Sequence, residues 1–180
     1  MSPLATPLRT RVVATDANVV INFSHIGMLG DLPAMIDMDC VITDEVYDEV
    51  IRPAQRKDLD AALEAGTWTR ESLTEPDSIA LFAALATTMG RGEAASLALA
   101  VSRQSYVASD ERRVFLREAR QRLGEGRIID TPGLLLLAIR RGTLTVDAAD
   151  RAKAKLETHR FTMRFDSFAG LIEAPDGRPR

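Results

Sequence analysis

The chain has 180 residues, 23 Lys and Arg against 26 Asp and Glu, a net charge of -3 and 46% hydrophobic residues. That balance fits one globular domain and excludes a collagen, a disordered chain or a coiled coil. A single cysteine, Cys40, excludes an intramolecular disulfide and argues against a cysteine-based zinc site.

The opening stretch MSPLATPLRTR has two prolines and no apolar core. It reads as a loose leader, not a secretory signal. Arg11 to Thr15 is a β-branched run that reads as a buried strand ending at Asp16. Asn18 to Leu29 has helical spacing, and Leu32 to Met38 suggests a second short helix. Asp39 to Thr43 is a second strand, and Thr43 can cap a helix with Val46, Tyr47 and Val50 on its apolar face. Pro53 is expected to end or bend that helix. Asp58 to Ala65 reads as helix, and Thr67 to Thr69 as a short edge strand.

The middle of the chain is helical. Pro76 suits a helix start before Ile79 to Met89, and the Gly90-Arg-Gly92 break leads into a helix from Glu93 to Val101. Tyr106 to Ala108 is a third buried strand, followed by a charged helix from Glu111 to Leu123. Arg127 to Ile129 is a fourth. Thr131-Pro132 then fits an N-cap with proline at the first helical position, before Leu134 to Arg141. Val146 to His159 and Ser167 to Ile172 read as the last helices.

Short apolar strands alternating with helices imply an α/β fold, a parallel sheet of four to five strands flanked by helices on both faces. The expected organisation is one domain over residues 11–145, with a helical C-terminal extension, 146–180, packed on it. Apolar runs such as Leu134 to Ile139 fall far short of the roughly 20 residues a membrane span needs, so no membrane is expected as a partner. A cytoplasmic location is the default, and the unpaired Cys40 agrees with it.

Charge is unevenly spread. Residues 1–90 carry 6 basic and 14 acidic groups, whereas residues 91–180 carry 17 and 12. Such asymmetry can mark a surface for a polyanion, although solvated helix faces produce it too.

In open parallel sheets, ligands gather at the carboxyl ends of the strands. Asp16 and Asp110 directly follow strands, Glu93 opens a helix after a glycine pair, and Glu49 lies late in the helix after the second strand. Each acid alone has a plain structural reading, as a helix cap, a partner for a helix dipole or a solvated side chain. Together, clustered carboxylates repel, and a divalent cation resolves the conflict. Mg²⁺ takes hard oxygen ligands and keeps several waters, so four acids suffice for one or two ions. Such ions activate water and stabilise charge on a phosphodiester. The two histidines, His25 and His159, form no HExxH motif.

The string Val-Val-Ala-Thr-Asp16-Ala-Asn18 resembles the opening of PIN-domain ribonucleases. Ile42-Thr-Asp-Glu-Val-Tyr-Asp-Glu49, Gly92-Glu93-Ala-Ala and Val107-Ala-Ser109-Asp110-Glu111 resemble the second, third and fourth motifs of that family, in its order, over about residues 11–140. The Gly-Glu-Ala form of the third motif is similar to VapC-like toxin proteins. The resemblance implies a metal-dependent ribonuclease that hydrolyses RNA with Mg²⁺ or Mn²⁺, the toxin of a toxin–antitoxin pair. It also implies an antitoxin protein as partner and a homodimer. The site residues carried over are Asp16, Glu49, Glu93 and Asp110 as catalytic metal ligands, with Asn18 and Ser109 as polar support. Glu111 sits beside Asp110, so the fourth ligand is either of the two.

Arg113, Arg117 and Arg120 fall at spacings of four and three on the expected helix and would share one face, which suits an RNA backbone or plain solvent. Phe161, Phe165 and Phe168 in the tail read as core residues before nucleic-acid stacking residues. A catalytically inactive PIN-like module that binds RNA or protein is the alternative. A phosphatase of the haloacid-dehalogenase type fits poorly, because Asn18 stands where that chemistry needs a second Asp.

Overall fold

The structure, a computed structural model, describes residues 11–173, so the expected leader and the end of the C-terminal extension lie outside the described residues. Five parallel strands form one sheet: β1 (Arg11–Thr15), β2 (Met38–Thr43), β3 (Trp68–Glu71), β4 (Tyr106–Ala108) and β5 (Ile128–Ile129). Their order is β3-β2-β1-β4-β5. The chain leaves β1 to one side for β2 and β3, then returns to the other side for β4. The carboxyl ends of β1 and β4 therefore flank the point where the winding reverses, the usual ligand crevice of such sheets.

Alternation along the strands sorts the core into two layers. Val13, Cys40, Ile42 and Ala108 point to one face, and Ala14, Val41 and Val107 to the other. The first face is covered by α1 (Ala17–His25), α2 (Leu32–Ile36), α3 (Asp44–Glu49), α4 (Pro53–Glu64), α8 (Thr131–Arg140), α9 (Val146–Thr158) and α10 (Phe168–Glu173). The second is covered by α5 (Pro76–Leu85), α6 (Arg91–Arg103) and α7 (Val114–Leu123). Both faces are closed, as a parallel sheet requires. Phe168 is buried, and Phe161 and Phe165 pack against the first layer, so the tail aromatics are core. No helix among the described residues is long and apolar enough to cross a membrane.

Several boundaries differ from the sequence reading, each for a local reason. Helix α1 stops at His25 because the chain turns through Gly27 at φ 71°, and α2 stops before Asp37, which is left-handed at φ 54°. Met38 therefore starts β2 instead of ending a helix. Pro53 does not bend the preceding helix; it opens α4, where its missing N–H is no loss. Similarly, α5 begins at Pro76 itself. Helix α7 begins at Val114, three residues later than expected, because Arg113 takes φ 50° and ψ -97°. At α8 the N-cap is Asp130, whose carboxylate accepts from the Gly133 N–H at 2.9 Å, and Thr131 is the first helical residue.

Candidate metal centre

Asp16 is the N-cap of α1 and is 1% exposed. One carboxylate oxygen accepts from the Ala17 N–H at 2.8 Å and the other from the Ser109 hydroxyl at 3.1 Å. Burial outweighs these two bonds and, with Glu93 and Glu49 adding repulsion, lifts its pKa to about 7. The helix-cap reading of Asp16 holds: the cap fixes the carboxylate, and burial disfavours its charge.

Ser109 links the two strands that meet here. Its N–H bonds the Ile129 carbonyl at 3.0 Å. Its hydroxyl donates to Asp16 and accepts from the Glu111 N–H at 3.1 Å. Asn18, one residue into α1 from Ala17, donates from Nδ2 to Glu111 Oε1 at 2.5 Å. Both polar residues anticipated from the motifs therefore act on the acids beside them.

Glu49 closes α3, and Arg56 secures that helix end. The Arg56 guanidinium donates to the carbonyls of Val50 at 2.8 Å and Tyr47 at 2.7 Å, and stacks 3.8 Å from the Tyr47 ring centroid. Glu49 Oε1 accepts from the Gly92 N–H at 2.7 Å. A Cβ at position 92 would lie 2.5 Å from Glu49 Oε2, so only glycine admits this approach. Gly92 thus joins α3 to the first turn of α6, where Glu93 stands. The Glu93 pKa is raised by burial, then by Glu111 and Glu49, against a bond from the Gly90 backbone.

Asp110 and Glu111 differ sharply despite being adjacent. Asp110 Oδ1 accepts from the Thr131 N–H at 2.8 Å, and Oδ2 accepts from the Thr131 hydroxyl at 2.6 Å and Asn22 Nδ2 at 3.0 Å. Burial raises its pKa, those donors oppose the rise, and Asp130 adds to it. Glu93 feels Glu111, not Asp110. Asp110 ties the loop after β4 to the start of α8, while Glu111 faces the other acids.

The structure thus brings Asp16, Glu49, Glu93 and Glu111 into one electrostatically coupled group. Among the described residues, no three His, Cys, Asp or Glu side chains are drawn together tightly enough to form a ready metal cage. A donor set made only of carboxylates, repelling one another around a buried Asp16, still suits a hard divalent cation that takes one or two of them directly and water for the rest. Beside Glu49 lies a cavity of about 190 Å³ lined by Asp44, Glu45, Asp48, Glu49 and Arg91.

The three arginines lie at the start of α7 and within it, two of them paired with acids. Arg113 precedes α7, Arg117 pairs with Glu118 at 3.1 Å, and Arg120 pairs with Glu125 at 2.7 Å. Sequence reasoning gave Gly92, Asn22 and Thr131 no part in positioning the acids. Gly92 carried a signal, since it directly precedes Glu93; Asn22 and Thr131 carried none, because their role depends on a contact between distant segments.

The family profile of the PIN domain matches residues 12–171 of this chain. No curated protein and no solved structure matches it.

Proposed function

The chain belongs to the PIN-domain family, whose members are usually nucleases, and from this premise we propose that it is a metal-dependent endoribonuclease. The observation that carries the proposal is the coupled group Asp16, Glu49, Glu93 and Glu111 at the carboxyl ends of β1 and β4. These four would hold Mg²⁺ or Mn²⁺. Glu111 is assigned in preference to Asp110, because its charge bears on Glu93, whereas Asp110 is held by three donors from Thr131 and Asn22. The bound ion supplies a Lewis acid that lowers the pKa of water and offsets charge on the phosphodiester.

The chain's residues do the positioning. Ser109 and the Ala17 N–H orient the Asp16 carboxylate, Asn18 orients Glu111, and the Gly92 N–H orients Glu49. Burial raises the proton affinity of Asp16, its pKa to about 7, so proton and cation compete for it. The reaction is hydrolysis: a water oxygen bonds to phosphorus in line with the departing 3′-hydroxyl.

The finer reading is a VapC-like toxin, paired with an antitoxin protein and acting as a homodimer in the cytoplasm. Its support is the Gly92-Glu93-Ala form of the third motif. Helices α9 and α10 share the first core layer with α1 and α8, which supports the described part of the proposed extension, through Glu173, as packed on the 11–145 nuclease domain.

Cleavage of single-stranded RNA in Mn²⁺ tests the assignment. Wild type should cleave, and Asp16→Asn should fold but lose cleavage. Full activity in that variant would refute the site.

A further inference from the structure

At the far end of α1 from Asp16, three helices bring basic groups together. His25 closes α1 and stacks on His159, the C-cap of α9, with ring centroids 3.7 Å apart and planes 15° off parallel. The amide of Gln55 on α4 lies 3.3 Å from His25 Nε2. Arg52, the N-cap of α4, and Lys155, one turn before His159 on α9, both oppose protonation of His25. Arg151 continues the α9 edge at the same spacing of four.

Among the described residues, no carboxylate forms an ion pair with His25, Arg52, Lys155 or His159. Asp58 on α4 is engaged by the Ser24 hydroxyl at 2.6 Å. Placing these groups together disfavours protonation of the rings unless an anion joins them.

We propose that the junction of His25, Arg52, Lys155 and His159 is a binding site for a phosphodiester of single-stranded RNA. Arg52 offers a planar fork for two phosphate oxygens, Lys155 a point charge, and the imidazoles N–H donors. Helix α1 places His25 about 13 Å from its start, at ~1.5 Å per residue, which is about four stacked nucleotides at ~3.4 Å each. The site would hold the strand beyond the cleavage centre. Only the identity of the polyanion rests on the ribonuclease reading.

In the free protein the His25 pKa is lowered by burial first, then by His159, Arg52 and Lys155. An oxyanion among these groups favours the protonated rings. With only two histidines in the chain, ring C–H resonances report each one, assigned with His25→Gln and His159→Gln. Adding sulfate at constant ionic strength should raise the proton affinity of both rings at least threefold over a chloride control. No change beyond chloride overturns the site.

A second arm measures binding of a labelled single-stranded RNA dodecamer in an Asp16→Asn background. Adding Arg52→Gln and Lys155→Gln should lower the slope of log affinity against log salt by about 1.4, at ~0.7 per lost contact. An unchanged slope with a positive sulfate response overturns the RNA assignment. Failure of the wild-type chain to cleave RNA would bear on the ribonuclease proposal alone, since the sulfate arm does not involve cleavage.

Discussion

The two ends of helix α1 carry opposite, unbalanced charge. At its start, Asp16 caps the helix where the dipole favours an anion, yet burial and the neighbouring Glu93 and Glu49 push its pKa up to about 7. At its end, His25 sits where the dipole favours a cation, yet burial and the cations around it push its pKa down. In both places the surroundings disfavour the charged form of the group. The acidic end calls for a cation and the basic end for an anion. A strand of RNA with a divalent ion supplies both.

The largest effects should come from the acidic end. Asp16→Asn should reduce cleavage by about 1000-fold, on the scale of a removed catalytic group. The same variant should flatten the pH dependence of stability. Asp16 has a folded pKa near 7 against 3.8 unfolded, so the folded state binds the extra proton between these values. Stability of the metal-free wild type should fall as pH rises from about 4 to 7 and level off above 7. Mn²⁺ should raise the thermal midpoint of the wild type above pH 7 and leave Asp16→Asn unmoved. A rising or flat metal-free profile would break the comparison at its acidic end.

Next comes the pair at 110 and 111. Glu111→Gln should cost about 100-fold in cleavage with little change in melting temperature. Asp110→Asn should do the reverse, destabilising by about 1–3 kcal/mol, because it disturbs a buried acceptor with three donors. Kinetics and chemical denaturation on both variants separate the roles, and equal loss of activity in both would return Asp110 to the metal set. Gly92→Ala should reduce cleavage by about 10- to 100-fold, as expected when the group orienting a metal ligand is displaced, since its Cβ meets Glu49. The smallest effect belongs to Arg117→Gln and Arg120→Gln. Their pairs are exposed at the arginine side, so each should change stability by less than about 0.5 kcal/mol and cleavage by less than twofold.

The alternation of short apolar strands with helices made the layers and the parallel sheet legible before any coordinates. Asp16 was legible because a strand end and a helix start meet there. The choice between Asp110 and Glu111 was not, because it depends on which carboxylate Asn22 and Thr131 occupy, two residues separated from it by 88 and 21 positions. The start of α7 was misread because spacing assumed a helix from Glu111, while the left-handed Arg113 delays it to Val114. Proline at 53 was read as a stop, but a proline that ends one helix often opens the next. The basic junction was invisible, since it joins three helices from distant parts of the chain.

The most direct test of the metal centre is anomalous diffraction from crystals grown in Mn²⁺. The predicted result is a peak bonded to one or two of Asp16, Glu49, Glu93 and Glu111, with Asp110 still bound to Thr131. No peak at these acids under saturating Mn²⁺, or a peak coordinated by Asp110 in place of Glu111, would contradict the account.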